Sequence, residues 1–161
     1  MKADRLEKLL ETVEKSSENE YYSYDTDIFY LFEDILKAVP DCIFARVYIM
    51  IDNWLGISMR DGVWTFYENF AGNRGLADTV EYLKHIGENQ MAVVFAYGIH
   101  PYDDKKYDDF HYPLEWIEDS DEIDDWIYDN ESKIISVQRD IILSNKEIIK
   151  SINSKSKDFF R

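Results

Sequence analysis

The sequence contains little cysteine, glycine or proline, few basic residues and no long apolar run. Its single cysteine, Cys42, excludes an intrachain disulfide and any zinc site built from paired cysteines. The longest apolar stretch, 43–51, is interrupted by Arg46, so it is too short and too polar to span a membrane. The N-terminus is charged and amphipathic, so we expect no signal peptide there. These features fit a reducing cytoplasm.

Acidic residues strongly outnumber basic residues in the sequence. The 161 residues include 33 Asp and Glu against 18 Lys and Arg, a formal net charge of -15. Hydrophobic residues make up 45% and aromatic residues 16%, so the chain has enough apolar material to fold as one domain. Such a charge repels nucleic-acid phosphates and anionic membranes and attracts basic proteins. We therefore expect no direct nucleic-acid binding and no membrane binding.

The apolar residues recur mostly at helical spacing. The pattern predicts an all-α fold, a single-domain helical bundle of residues 1–161 with about six to eight helices and one acidic loop-helix segment. Segment 41–55 is apolar on nearly all sides and is predicted to be a buried helix. Its β-branched residues are also compatible with a strand, so that alternative is kept. Residues 16–23 and 100–112 are predicted loops, and 153–161 a frayed tail. The predicted helices cover about 6–16, 26–39, 41–55, 62–72, 76–86, 88–97, 120–128 and 132–152.

Most of the excess charge lies between Asp103 and Glu131, which we call the acidic segment. It holds thirteen acidic residues against Lys105 and Lys106, whereas 132–161 holds seven basic and three acidic residues. A helix capped by Ser120 would place Asp121, Asp125 and Asp129 in one row. Closely spaced carboxylates on a rigid helix resemble a row of phosphates to a cationic partner. The predicted partner-binding residues are Asp103, Asp104, Asp108, Asp109, Glu118, Asp119, Asp121, Glu122, Asp124, Asp125 and Asp129.

Two simpler interpretations stay open for this segment. Acidic helix faces commonly serve solubility alone, and the basic 132–152 helix could neutralise the carboxylates. The interleaved aromatic residues could belong to a recognition surface, or they could anchor a long loop to the core. They are Tyr102, Tyr107, Phe110, Tyr112, Trp116 and Tyr128.

Catalytic and metal-binding patterns are scarce. The three histidines, His85, His100 and His111, form no recognisable zinc spacing, and no phosphate loop or nucleophile motif occurs. A divalent cation could be gathered by His100, Asp103, Asp104, Asp108 and His111 together, but a calcium-loop spacing with its glycine is missing. We predict no cofactor and no resident metal. A carboxylate pair that meets only in the fold leaves an enzyme open.

Residues 60–72, Arg-Asp-Gly-Val-Trp-Thr-Phe-Tyr-Glu-Asn-Phe-Ala-Gly, and the following Leu76–Gly87 carry a resemblance. They resemble a family of small acidic helical bacterial proteins that includes DNA mimics. The family pattern is kept at Gly62, Phe66, Tyr67, Asn69, Gly72 and the Ile86-Gly87 ending; Arg60, Asp61, Val63 and Thr65 depart from it. The resemblance covers roughly 54–96. It implies an all-helical domain, often dimeric, that occupies the DNA-binding surface of a regulatory or nucleoid protein.

The leading hypothesis is an acidic interaction module that acts as a DNA mimic or inhibitor. It would occupy the basic nucleic-acid-binding surface of a regulator, nuclease or defence effector, so the expected partner is a basic DNA- or RNA-binding protein. The alternative is an immunity or antitoxin protein that neutralises a basic toxin, and the third is an enzyme with an unrecognised site. A homodimer stays open.

Overall fold

The computed structural model describes residues 1–17 and 25–156, and the described residues are helical without any β-strand. This confirms the all-α prediction, and segment 41–55 is helical rather than a strand. The helices are α1 (Ala3–Lys15), α2 (Asp25–Ala38), α3 (Ile43–Asp61), α4 (Val63–Asn69), α5 (Arg74–His85), α6 (Asn89–Tyr97), a 3-10 helix (Lys105–Phe110), α7 (Leu114–Asp129), α8 (Glu131–Ser144) and α9 (Lys146–Ser156).

Contacts between Cα atoms divide the chain into two compact units. Unit 1 comprises Met1–Ile49 and Ser132–Arg161, and unit 2 comprises Met50–Glu131. Helix α3 contributes residues to both. The prediction of a single domain over 1–161 stays a prediction.

Unit 1 is built on the amphipathic pattern of its helices. Helix α9 packs against α1 and α2. Within this core the Phe32 ring stacks on Tyr48 at a centroid distance of 4.1 Å and meets Phe44 edge-on. The α1 residues that the sequence assigns to its apolar face are buried as predicted, namely Leu6, Leu9, Leu10 and Val13.

Unit 2 is organised around aromatic rings. Helix α7 packs against α4 and α6, and α5 packs against α6. Trp54 donates a hydrogen bond from Nε1 to the Tyr67 hydroxyl at 3.0 Å, and that hydroxyl donates to the Phe95 carbonyl at 2.9 Å. Gly62 and Gly72 bound α4 with positive φ angles of 85° and 70°, conformations that favour glycine. These two glycines of the segment 60–72, which carries the family resemblance, therefore set the boundaries of α4.

The predicted start of the acidic helix at Ser120 is wrong. Helix α7 begins at Leu114, after Pro113, and Ser120 is buried in its middle. The Ser120 hydroxyl donates to the Trp116 carbonyl at 2.8 Å, one turn earlier, instead of capping a first turn. Because the helix begins six residues earlier, it presents its side chains over four turns.

The C-terminal part also differs in its boundaries. The predicted helix 132–152 is two helices, α8 and α9, that meet at Asn145, whose side chain donates to the Ile141 carbonyl at 2.8 Å. The predicted frayed tail from Asn153 is wrong for 153–156, since α9 continues to Ser156 and Asn153 is buried. Residues 18–23 of the predicted first loop and 157–161 of the tail lie outside the described residues.

Candidate interaction surface on helix α7

Helix α7 separates its side chains into a buried face and an acidic face. Its buried face consists of Trp116, Ser120, Ile123 and Ile127, which follow each other at helical spacing. Five carboxylates on the other side are exposed, and we call them the acidic stripe: Glu118, Asp121, Glu122, Asp125 and Asp129. At 3.6 residues per turn they lie within an arc of about 100°. The helix phase therefore gathers five of the predicted residues on one face.

The acidic stripe has no ion-pair partner in the part of the chain that the structure describes. None of its five carboxylates forms an ion pair or hydrogen bond with another residue in ranges 1–17 and 25–156. Like charges three and four residues apart destabilise a helix by about 0.2–0.5 kcal/mol per pair. Asp129 also stands in the last turn of α7, where the helix dipole disfavours an anion by about 0.3–1 kcal/mol. The stripe thus opposes the stability of its own helix.

Three basic residues of α8 and α9 form contacts inside unit 1. Lys146 pairs with Glu14 at 2.7 Å, and Lys150 lies 3.8 Å from Glu7. The Arg139 guanidinium donates to the backbone carbonyls of Val13 and Glu14 at 3.0 and 2.9 Å. The Lys146 ammonium lowers the pKa of the Glu14 carboxyl through a hydrogen bond and its charge. These cations therefore stabilise α1 within unit 1.

Asp124 has a structural role that the sequence did not indicate. Its carboxylate accepts the Val63 backbone N–H at 3.0 and 3.1 Å and the Ser58 hydroxyl. Val63 is the first residue of α4, and the preceding Gly62 has no side chain to cap that helix. Asp124 therefore supplies from α7 the acceptor that a capping side chain normally provides.

The Asp119 side chain also contacts other residues of unit 2 instead of facing solvent. Its Oδ2 lies 3.2 Å from Nε2 of His100, and both side chains are largely buried. The same carboxylate raises the pKa of the Tyr97 phenol by hydrogen bonding. Among the predicted partner-binding residues, Asp119 and Asp124 therefore lie at the edges of the buried face, outside the acidic stripe.

The loop carboxylates lie on the segment before α7. Asp103 is exposed. Asp104 caps the 3-10 helix by accepting the Lys106 backbone N–H at 3.1 Å, and its carboxylate lies 3.4 Å from the Lys106 ammonium. The side chains of Asp108 and Asp109 lie outside the described part of the chain.

Most of the aromatic residues in the acidic segment anchor its loop. The Trp116 ring stacks on His100 at 4.6 Å and meets Tyr107 at 4.8 Å, and Tyr102 meets Tyr112 at 4.9 Å. The Tyr112 hydroxyl donates to Glu68 at 2.9 Å, and burial together with this carboxylate raises the pKa of Tyr112 to about 12. These contacts support the core-anchor interpretation. Tyr128 is instead exposed, and the side chain of Phe110 lies outside the described part of the chain.

The described part of the chain shows neither a metal site nor a membrane span. No group of three or more His, Cys, Asp or Glu side chains within 1–17 and 25–156 is placed to hold a metal ion. Likewise, none of the helices in those ranges combines the length and the apolar character that a membrane span requires.

Fold and surface together define an all-helical protein with a row of exposed carboxylates that have no ion-pair partner among the described residues. The family model of the DMP19-like proteins matches residues 43–145, which is more than half of the chain, and the chain belongs to this family. DMP19 proteins are DNA mimics, which agrees with the resemblance seen in the sequence. The match covers all of unit 2, including α7. No curated protein and no solved structure matched the chain.

Proposed function

We propose that this protein is a DNA mimic that inhibits a basic nucleic-acid-binding protein by occupying its binding surface with the acidic stripe. The observation that carries the proposal is the set of five exposed carboxylates without an ion-pair partner among the described residues. Family membership supports it. The proposal assigns no catalytic role and places the protein in the cytoplasm, where Cys42 stays reduced.

The spacing of the stripe resembles that of a nucleic-acid strand. Glu118 and Asp129 are eleven residues apart, so the stripe extends about 16 Å along the helix axis at 1.5 Å per residue. Five charges over this length give about one charge per 4 Å, compared with about 3.4 Å for one strand of DNA. A basic surface that follows a phosphate backbone would therefore meet a similar linear charge density.

A capture experiment tests the proposal. The immobilised wild type is compared with the variant Glu122→Gln/Asp125→Asn/Asp129→Asn on host lysate. The control, Asp4→Asn/Glu7→Gln/Glu11→Gln, removes the same charge from exposed positions on α1. We expect wild type and control to retain DNA-binding proteins that duplex DNA displaces, and the stripe variant to retain few.

The salt dependence separates mimicry from its alternative. A mimic should release its partner steeply between about 0.05 M and about 0.5 M NaCl, because the contacts are electrostatic and the Debye length falls. Retention of a single protein that resists both salt and duplex DNA would contradict mimicry and favour the immunity or antitoxin alternative. If the stripe variant captured the DNA-binding proteins as well as the wild type does, the carboxylates would serve solubility only.

A further inference from the structure

Helix α7 carries a second exposed surface beside the acidic stripe, and this surface is apolar. Leu114 is 66% exposed, Ile117 47% and Tyr128 74%. These three side chains, which we call the apolar face, lie within an arc of about 60° that borders the acidic stripe and overlaps it at Leu114. Large apolar side chains aligned along one helix face commonly mark an interaction site.

The positions along this face follow the spacing of a helix-packing seam. Residues 114, 117, 121, 124 and 128 are separated alternately by three and four positions, as in the contact row of a coiled coil. Asp121 and Asp124 occupy the middle of that row. A Cβ atom at Gly62 would lie 3.4 Å from Cδ1 of Trp64 and 3.5 Å from Oδ2 of Asp124, so the partly exposed Trp64 adds apolar surface near this row.

The adjacent stripe has matching geometry. Residues 118, 122, 125 and 129 are also separated by four, three and four positions, so a carboxylate row runs beside a row that is apolar at three of its five positions. A phosphate-binding loop or a flexible polybasic chain could pair with the carboxylates but would leave the apolar face in water. A helix with apolar and basic rows side by side would satisfy both.

We propose that α7 docks an amphipathic basic helix of the partner protein. Its apolar side chains pack on Leu114, Ile117 and Tyr128, while its Lys and Arg side chains pair with the acidic stripe. The inference rests on the proposed function and specifies which element of the basic partner is bound. A second copy of α7 fits less well, because a symmetric pair would bring two unneutralised stripes together.

The test uses synthetic peptides with the full chain. The first peptide is a fluorescent amphipathic helix of about 18 residues, with Leu at three- and four-residue spacing and Lys elsewhere. The second has the same composition in scrambled order, so its charge is equal but it has no apolar row. Fluorescence anisotropy at near-physiological salt gives both dissociation constants. We expect the amphipathic peptide to bind at least about tenfold more tightly.

Variants assign the difference to the apolar face. Leu114→Ser/Tyr128→Ser should weaken binding of the amphipathic peptide about tenfold and leave the scrambled peptide unchanged. Val93→Ser is the matched control, because Val93 on α6 is exposed to a similar extent, 67%, and lies outside the apolar face. This control should bind both peptides like the wild type. Circular dichroism verifies that all variants remain folded.

Three outcomes would overturn the inference. The first is equal affinity for the two peptides, and the second is unchanged binding by the Leu114→Ser/Tyr128→Ser variant. The third is a dimer in sedimentation velocity that this variant dissociates, since a second copy would then cover the face. The proposed function is tested separately, by whether duplex DNA displaces the partner captured from lysate. None of these three outcomes bears on that result.

Discussion

Asp124 and Asp125 are adjacent carboxylates with different surroundings. Asp124 accepts the Val63 backbone N–H and the Ser58 hydroxyl, whereas Asp125 is exposed in the acidic stripe. Replacing Asp124 by Ala leaves the buried start of α4 without its acceptor, so we expect a loss of about 2 kcal/mol in the free energy of unfolding. Asp125→Ala should change it by less than about 0.5 kcal/mol. Urea denaturation of both variants measures the difference.

The two variants should rank in the opposite order in their effect on partner binding. Asp125→Ala is expected to weaken retention of the partner more than Asp124→Ala does, once both are compared at a temperature where each is folded. Equal stability of the two variants would show that the Asp124 contacts do not stabilise the start of α4.

Gly98 lies against the ring of Tyr67 in unit 2. A Cβ atom at this position would lie 2.1 Å from Cε2 of Tyr67. The Tyr67 ring cannot move aside without breaking its hydrogen bonds to Trp54 and Phe95, and its burial raises the pKa of the phenol well above the ordinary value. We therefore expect Gly98→Ala to lower the free energy of unfolding by about 3 kcal/mol.

Gly56 provides the matched control for this substitution. It lies within α3, and a Cβ atom there would meet nothing within 4 Å. Gly56→Ala should raise the free energy of unfolding by about 0.5–1 kcal/mol, because alanine loses less conformational entropy in a helix. If Gly98→Ala were as stable as Gly56→Ala, the close approach of Tyr67 to the backbone would not be a constraint.

At the scale of the elements, apolar periodicity predicted where most helices lie. Helices α1, α2, α5 and α6 match the predicted segments within about three residues, and the ends of the last three are followed by Pro40, Gly87 and Gly98. The boundaries of α7 could not be read in this way. Ser120 has the residue type of a cap, but its hydroxyl bonds one turn back, while Pro113 marks the actual start.

The misplaced start of α7 limited how much of the candidate surface could be predicted from the sequence. The sequence identified the carboxylates of 118–129, and the row of Asp121, Asp125 and Asp129 is exposed as expected. It could not separate Asp119 and Asp124 from the others, because their partners, His100 and Val63, are distant in sequence. The apolar face was missed because Leu114 and Ile117 lie before the predicted helix start. Extending the helix back to Pro113 would have revealed their shared phase with Tyr128.

At the scale of the whole molecule, the net charge of -15 has opposite consequences for binding and for folding. Negative charges repel one another in the compact state, and salt screens this repulsion. The same screening weakens attraction to a basic partner. Salt should therefore raise the stability of the free protein under the conditions in which it dissociates the complex.

We expect the Tm of the free protein to rise by about 3 °C as NaCl increases from about 0.01 M to about 0.15 M, where the Debye length falls from about 30 Å to about 8 Å. Differential scanning calorimetry measures this shift. The Glu122→Gln/Asp125→Asn/Asp129→Asn variant should start from a higher Tm at low salt and gain less from added salt, because it carries fewer like charges on α7. A Tm that falls with NaCl in the wild type would show that attractive ion pairs, such as those between α1 and α9, outweigh the net repulsion.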